Sequence, residues 1–482
     1  MRKIRLFYMI LIICLLSVGG WYLWGGLQKE EVQKSDKTSI EAINEAMHLI
    51  EGESVYSTGK EKLIEGAIRG MADAIEDPYS TYYTKEEAAQ HRQSLAEERV
   101  GVGLEITESG GKFIVVSPVK SSPADRAGIR PLDEIVQVNE ERLGGKSMSE
   151  LMRLIQGEKG TALTIVVFRP SADKHIKVTM EREAISNTTV TSKVVTVDDT
   201  SIGYVSISIF GEKTAEEWVA ETTKLLRKDV EGIVIDVRDN PGGYLHSVRA
   251  LISSLLDNQK VFTYMQNGEG AMEPINTDDE GFDKNYVQSM RKMPLVLLQN
   301  GGSASASEVL SGALGSLDRA SIIGTTSFGK GTVQESWDLT NGGELKLSTN
   351  KWLTPKQEWI HGKGIEAELL VEQNELFALE LHPLTGQYKT GDMHEEIAYT
   401  QNVLAKLGYH ISRTDGYFDS TTEAAVKRYR KDKKLSKTPD TMLMDTQFFA
   451  SLNEEVKTYK EDSANDRQFQ MAVSFLMHKI EQ

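Results

Sequence analysis

Two short apolar runs constrain this chain more than anything else in it. Gly232-Ile-Val-Ile-Asp-Val-Arg238 and Leu295-Val-Leu-Leu-Gln299 are nearly continuous apolar stretches of strand length. Runs without polar alternation suit strands that are buried on both faces. Each gives way to glycines and then to helical spacing, over Leu245–Leu256 after the first and Ala304–Leu317 after the second. Upstream, Gly203–Phe210 reads as a strand and Thr214–Lys228 as a helix. The implied fold is α/β, with helices packed on a mostly buried sheet. The glycine-rich, acidic stretch Asn267–Asn285 reads as a surface loop.

The flanking sequence has other periods. Residues 38–96 read as helices: Ile40, Ile43, Met47 and Ile50 recur at helical spacing, as do Leu63, Ile64, Ala67, Met71 and Ile75. Residues 97–184 alternate strands and turns with two short helices, so a compact β-rich domain precedes the α/β domain at 185–386. Residues 388–456 carry three helical segments, and 457–482 a tail in which Phe469, Ala472, Phe475 and Leu476 suggest a docking or dimerising helix.

At the N-terminus, Leu6–Leu27 is a run of 22 residues without a charged side chain. About 20 suffice to cross a bilayer. Arg2, Lys3 and Arg5 precede it, which places the body outside the cytoplasm. An uncleaved anchor over residues 1–28 is favoured over a signal peptide, because no Ala-x-Ala site follows; cleavage would make the protein secreted.

Composition removes several classes. The net charge of −16 argues against a nucleic-acid binder. The single cysteine, Cys14, excludes an intrachain disulfide and a thiolate zinc site. The nine histidines have no metal-site spacing, so no metal or cofactor is expected. Gly324-Thr-Thr-Ser-Phe-Gly-Lys-Gly331 misses a phosphate loop, because Gly331 stands where a hydroxyl would hold magnesium.

Three segments carry chemistry. Asn300-Gly-Gly-Ser-Ala-Ser-Ala-Ser-Glu308 follows a buried strand and opens a helix, and Ser303, Ser305 and Ser307 compete for the nucleophile's role. A serine-rich helix cap is the plain alternative. Phe328-Gly-Lys-Gly-Thr-Val-Gln334 sets Lys330 between glycines, and Gln334 follows at an even spacing that places both on one side of a strand. A lysine with a lowered pKa can activate a serine. Asp236-Val-Arg-Asp-Asn-Pro-Gly-Gly243 ends in glycines whose N–H groups could face an oxyanion.

In this order the three segments resemble the carboxyl-terminal processing (tail-specific) serine proteases, with Val237 where that family has leucine and Ala367-Glu368 where it has Pro-Asp. The resemblance implies a crotonase/ClpP-like α/β core. It makes Ser305 the nucleophile, Lys330 the general base and Gln334 the residue that orients it. The oxyanion hole would be Ala306 with Gly242 or Gly243. Residues 97–184 resemble an inserted bacterial PDZ domain, whose Gly101-Val102-Gly103-Leu104 loop would receive a peptide's C-terminal carboxylate, with Arg169 as electrostatic helper or as a solvated strand end. Glu395–Leu452 resembles a peptidoglycan-binding domain, although Asp440–Thr446 lacks the usual glycine; glycan binding and a spacer or dimerisation role both stay open.

The expected protein is therefore a membrane-anchored, extracytoplasmic serine endopeptidase and homodimer that acts on proteins with exposed C-termini. Sporulation signalling and envelope protein processing are the candidate roles. An inactive PDZ and wall-binding scaffold is the alternative, and a thioester-processing crotonase relative a second.

Overall fold

The structure is a computed structural model. It describes residues 40–56, 58–95, 98–109, 111–119, 122–131, 133–169, 174–186, 188–378, 386–435 and 443–481. The candidate anchor, Leu6–Leu27, lies outside these. No helix of the described residues is long and apolar enough to cross a membrane.

The chain forms two compact units: residues 1–89 with 334–348, and residues 90–333 with 349–482. In the first, a helix over residues 40–53 and the helix Lys60–Asp73 precede the strand Thr81–Tyr83. That strand pairs antiparallel with the chain at 344–346, Tyr83 opposite Glu344. Tyr82 anchors this unit: it is fully buried and takes a 2.7 Å hydrogen bond from Asn341 Nδ2. Ile40, Ile43, Leu49 and Ile50 of the first helix remain exposed.

In the second unit, the β-rich domain is a sheet ordered Leu104–Ser109, Lys112–Pro118, Glu134–Val138, Ala162–Arg169, Lys174–Glu181. The helix Met148–Ile155 is fixed by a capping box between Ser147 and Glu150. Phe113, Ile135, Leu151, Leu163 and Ile165 form its core.

The α/β domain is built on a six-stranded sheet ordered Val190–Val197, Thr200–Ile207, Gly232–Asp236, Leu295–Gln299, Ser321–Gly324, Leu369–Leu370. The first pair is antiparallel and the rest are parallel. The strands Gly232–Asp236 and Leu295–Gln299 are buried along their full length, as their lack of alternation predicts. Their side chains divide by the strand period of two. Ile233, Ile235, Leu295 and Leu297 face a core containing Trp218, Leu251 and Leu310 of the helices Thr214–Leu226, Leu245–Leu255 and Ala306–Ser316. Val234, Val296 and Leu298 face Phe469, Ala472, Val473 and Leu476 of the C-terminal helix Arg467–Glu481. That helix docks on its own sheet, so its apolar stripe is used within the chain.

One expectation fails here. Asn267–Asn285 is not a plain loop: Met272–Asn276 pairs antiparallel with Val261–Asn267, and the helix Lys284–Lys292 follows. The Asn267 side chain accepts the N–H groups of Glu269 and Ala271 and closes a tight turn, so a short hairpin forms despite its polar composition.

The C-terminal module packs helices Glu395–Lys406, Ser420–Asp432 and Thr446–Glu461 around Phe418, Tyr429, Phe448 and Phe449. Asp419 and Asp445 cap the second and third. The third helix runs through position 456, where the sequence suggests a domain end.

Candidate active site

The segment between the strand Leu295–Gln299 and the helix Ala306–Ser316 sorts its three serines. Ser303 Oγ donates to the Val237 carbonyl at 2.8 Å and Ser307 Oγ to the Asn240 carbonyl at 2.9 Å, and both serines are fully buried. Their hydroxyls hold the loop 237–243 against the helix start. Ser305 is half-buried at the N-cap, with φ 54° and ψ −113°. That backbone is strained for a residue with a Cβ, a cost of order 1–3 kcal/mol kept mostly where a site needs it.

Glu308 explains how the strain is held. It lies three residues after the N-cap and is fully buried. Its Oε2 accepts the N–H of Ser305 and the N–H of Lys330, each at 2.8 Å. Its Oε1 accepts the Gly329 N–H and the Ser327 hydroxyl, each at 2.6 Å. One carboxylate thus fixes the backbone of the serine and that of the lysine together. Four donors compensate the desolvation of a buried charge. The segment's composition points to nucleophiles; the Ser-x-x-Glu spacing of a capping box is the signal that could have singled out Glu308.

The remaining backbone groups around Lys330 are also held. The Lys330 carbonyl accepts the Trp352 indole N–H and the Gly331 carbonyl the Trp359 indole N–H, both at 2.8 Å. The Gly331 N–H reaches His361 Nδ1 at 3.3 Å, and the His361 ring stacks on Trp359. Lys330 itself precedes the strand Thr332–Asp338, so strand alternation does not relate its side chain to that of Gln334. Gln334 belongs to the first unit, where its Nε2 donates to Ser348 Oγ at 3.1 Å.

Gly242 lies against the nucleophile turn. A Cβ on it would stand 2.8 Å from Ser305 Cβ and 3.0 Å from Ala306 N, and its φ of +105° favours glycine. Its own N–H is taken by Asn240 Oδ1 at 2.9 Å. The N–H groups of Gly243 and Ala306 have no partner among the described residues, and Gly243 is exposed. Of the two glycine candidates, Gly243 is the one with a donor to offer.

In the β-rich domain, Val102 and Gly103 form the turn between Glu98–Gly101 and Leu104–Ser109. Their carbonyls face inward, accepting from Ala124 N and from Val119 N and Ser122 Oγ. Their N–H groups have no partner among the described residues. Arg169 is neither a free cation nor a solvated strand end. Its Nε and Nη2 bind both oxygens of buried Asp133 at 2.8 and 2.7 Å, and Nη2 also reaches the Gly128 carbonyl. The Asp133 hydrogen bonds, set against burial, raise its pKa.

Comparison with known proteins agrees with this layout. The model for peptidase family S41 matches residues 201–371, a CtpB N-terminal domain 25–87, a PDZ domain 114–169 and a putative peptidoglycan-binding domain 393–438. The chain is 35% identical over 475 residues to the carboxy-terminal processing protease CtpB of Bacillus subtilis, covering 95% of this chain and 96% of that one. It is 31% identical to CtpA of the same organism, over 99% of this chain and all of that one. Among solved structures, the photosystem II D1 C-terminal processing protease is 26% identical, covers 68% of this chain and 92% of that one, and has a TM-score of 0.43.

Proposed function

We propose how catalysis runs in a chain that belongs to peptidase family S41 and is a carboxy-terminal processing serine protease with a PDZ domain. Ser305 Oγ attacks the scissile carbonyl carbon while the neutral Lys330 amine takes its proton, and Gln334 orients that amine. The N–H groups of Ala306 and Gly243 receive the oxyanion. Collapse of the tetrahedral adduct breaks the C–N bond, and the Lys330 ammonium returns a proton to the leaving amine. Water, deprotonated by Lys330, then hydrolyses the Ser305 ester. The observation that carries this reading is Glu308 Oε2, which accepts N–H groups from both Ser305 and Lys330. A spectator helix cap does not require the second of those bonds.

The core is assigned a crotonase/ClpP-like arrangement on its parallel strands, each flanked by helices. Substrates are proteins with exposed apolar C-termini, received at the Gly101–Leu104 turn, whose Val102 and Gly103 N–H groups suit a carboxylate. The body works outside the cytoplasm, held by Leu6–Leu27, in sporulation signalling or envelope protein processing. A homodimer is supported by the exposed Ile40, Ile43, Leu49 and Ile50. The C-terminal module contacts peptidoglycan.

Ser305→Ala and Lys330→Ala, assayed on an unfolded test protein, each remove turnover by about 10⁴-fold or more while far-UV circular dichroism is unchanged. Full activity in either folded variant would overturn the mechanism. The same variants separate protease from scaffold, since a scaffold has no turnover to lose.

A further inference from the structure

The loop that carries Gly242 and Gly243 begins at Arg238, and this arginine reaches far along the chain. Its Nη2 binds Asp236 Oδ2 at 2.6 Å and Asp466 Oδ2 at 2.8 Å; its Nη1 binds Asp466 Oδ1 at 2.9 Å and Gln468 Oε1 at 3.1 Å. Asp236 also accepts the Tyr204 hydroxyl at 2.7 Å. All four charged and phenolic groups are largely buried. Asp466 and Gln468 belong to the start of the C-terminal helix, more than 220 positions away.

The topology gives that contact its meaning. The chain leaves the core sheet at Val371, builds the C-terminal module, and returns at Asp466 to lay the helix Arg467–Glu481 under the sheet. Exit and return are stapled. Gln373 Nε2 donates to Asp466 Oδ1, the Arg467 N–H to Gln373 Oε1, Gln468 Nε2 to the Val371 carbonyl, and Asn374 Nδ2 to the Tyr459 hydroxyl. The module is an insertion in the protease domain; its two ends are bonded to each other, and the returning end binds the guanidinium that starts the oxyanion loop.

We propose that Arg238 and Asp466 are positioning residues for catalysis: the C-terminal helix clamps the root of the loop 238–243 and sets the Gly243 N–H relative to Ser305. The inference rests on the oxyanion assignment above. From Arg238 the loop has few independent ways to move. Asp239 is bonded to Asn300, the Asn240 carbonyl to Ala304 N and Ser307 Oγ, and the Phe210 N–H to the Gly242 carbonyl. A shift at its root therefore reaches the donor, and a 1 Å error in a reacting group can cost about a hundredfold.

The test is steady-state kinetics of the full chain on a peptide with an apolar C-terminus. Asp466→Ala lowers kcat about tenfold or more and moves KM less than twofold, because the PDZ turn is untouched. Arg238→Lys falls between parent and Asp466→Ala, since an ammonium keeps the charge but not the bidentate fit. Leu476→Ala, which opens a cavity under the same helix without touching the ion network, lowers the melting temperature but leaves kcat within twofold below melting. Should Asp466→Ala fail to fold, Asp466→Asn decides, with the same expected split. A folded Asp466 variant whose kcat stays within twofold of the parent overturns the clamp. So does a fall in kcat for Leu476→Ala as large as that for Asp466→Ala, which would make helix docking alone responsible. Ser305→Ala in the same series separates the two ideas. Activity surviving it removes the site that is positioned, and the clamp with it; activity lost there but kept in Asp466→Ala removes the clamp alone.

Discussion

Two turns in this molecule leave backbone N–H groups without a partner among the described residues, and they are built alike. In the PDZ domain Gly103 has φ +72°, and a Cβ there would stand 2.3 Å from Ser122 Cβ. In the protease domain Gly242 has φ +105° and lies 2.8 Å from Ser305 Cβ by the same measure. Each glycine is wedged against a serine at a helix N-cap. The serines differ. Ser122 has ordinary extended backbone, is buried, and spends its hydroxyl on the Asp125 N–H and the Gly103 carbonyl. Ser305 is forced to positive φ and is half-buried. On the proposed function, the geometry of a resting carboxylate site becomes that of a reaction site when the cap residue is strained and a second segment, here Lys330 through Glu308, is tied to it.

The two serines should respond most differently to substitution. Ser305→Ala is expected to lose about 10⁴-fold or more in kcat, whereas Ser122→Ala should cost about 1 kcal/mol of stability and leave kcat on a tail-independent substrate unchanged. Thermal melting and turnover on one set of proteins decide this; a catalytic loss in folded Ser122→Ala would erase the distinction. The glycines come next. In Gly242→Ala the methyl pushes into the nucleophile turn and disturbs the oxyanion pair, so kcat should fall about 10²-fold, the scale for one lost donor. Gly103→Ala should instead raise KM about tenfold for substrates with a free C-terminus, at unchanged kcat, the scale of one lost charge-assisted hydrogen bond. A loss confined to kcat in Gly103→Ala would mean that the PDZ turn acts on catalysis rather than on docking.

Much of this was legible in the sequence for a physical reason. Strands buried on both faces are apolar along most of their length, so the two central strands could be placed from their apolar runs. The segments around Ser305, Lys330 and Gly243 stand out through their resemblance to a family's motifs; taken alone, the serines also fit a helix cap. What was not legible is long-range and polar. Asp466 is an ordinary acidic residue in a tail of mixed charge, and nothing local marks it as the partner of Arg238. Arg169 reads as exposed because its partner, Asp133, lies 36 residues away. Nothing local marks Trp352 and Trp359, although the indole N–H groups hold the carbonyls of Lys330 and Gly331. The hairpin of 261–267 and 272–276 was hidden because its second strand is short and its turn is glycine-rich and acidic.

The two turns also differ in what stands behind them, and acid should expose the difference with the smallest effect of the set. Burial alone would raise the Asp466 carboxyl. The hydrogen bonds and charge of Arg238, with the Phe469 N–H and Gln373, outweigh it and hold the carboxyl below its ordinary value of 3.8. A carboxyl whose folded pKa is depressed stabilises the fold above its unfolded pKa, and that contribution is lost as pH falls through the folded value. The gap in melting temperature between the parent and Asp466→Asn should therefore be constant from about pH 6 to 8 and shrink below about pH 4. Kinetics from the plateau region should show the kcat deficit of the variant unchanged over the same range, because Asp466 is already ionised there. A melting gap that instead persists undiminished into acid would mean that the carboxylate's charge does not support the core turn, and that shape alone separates it from the PDZ turn.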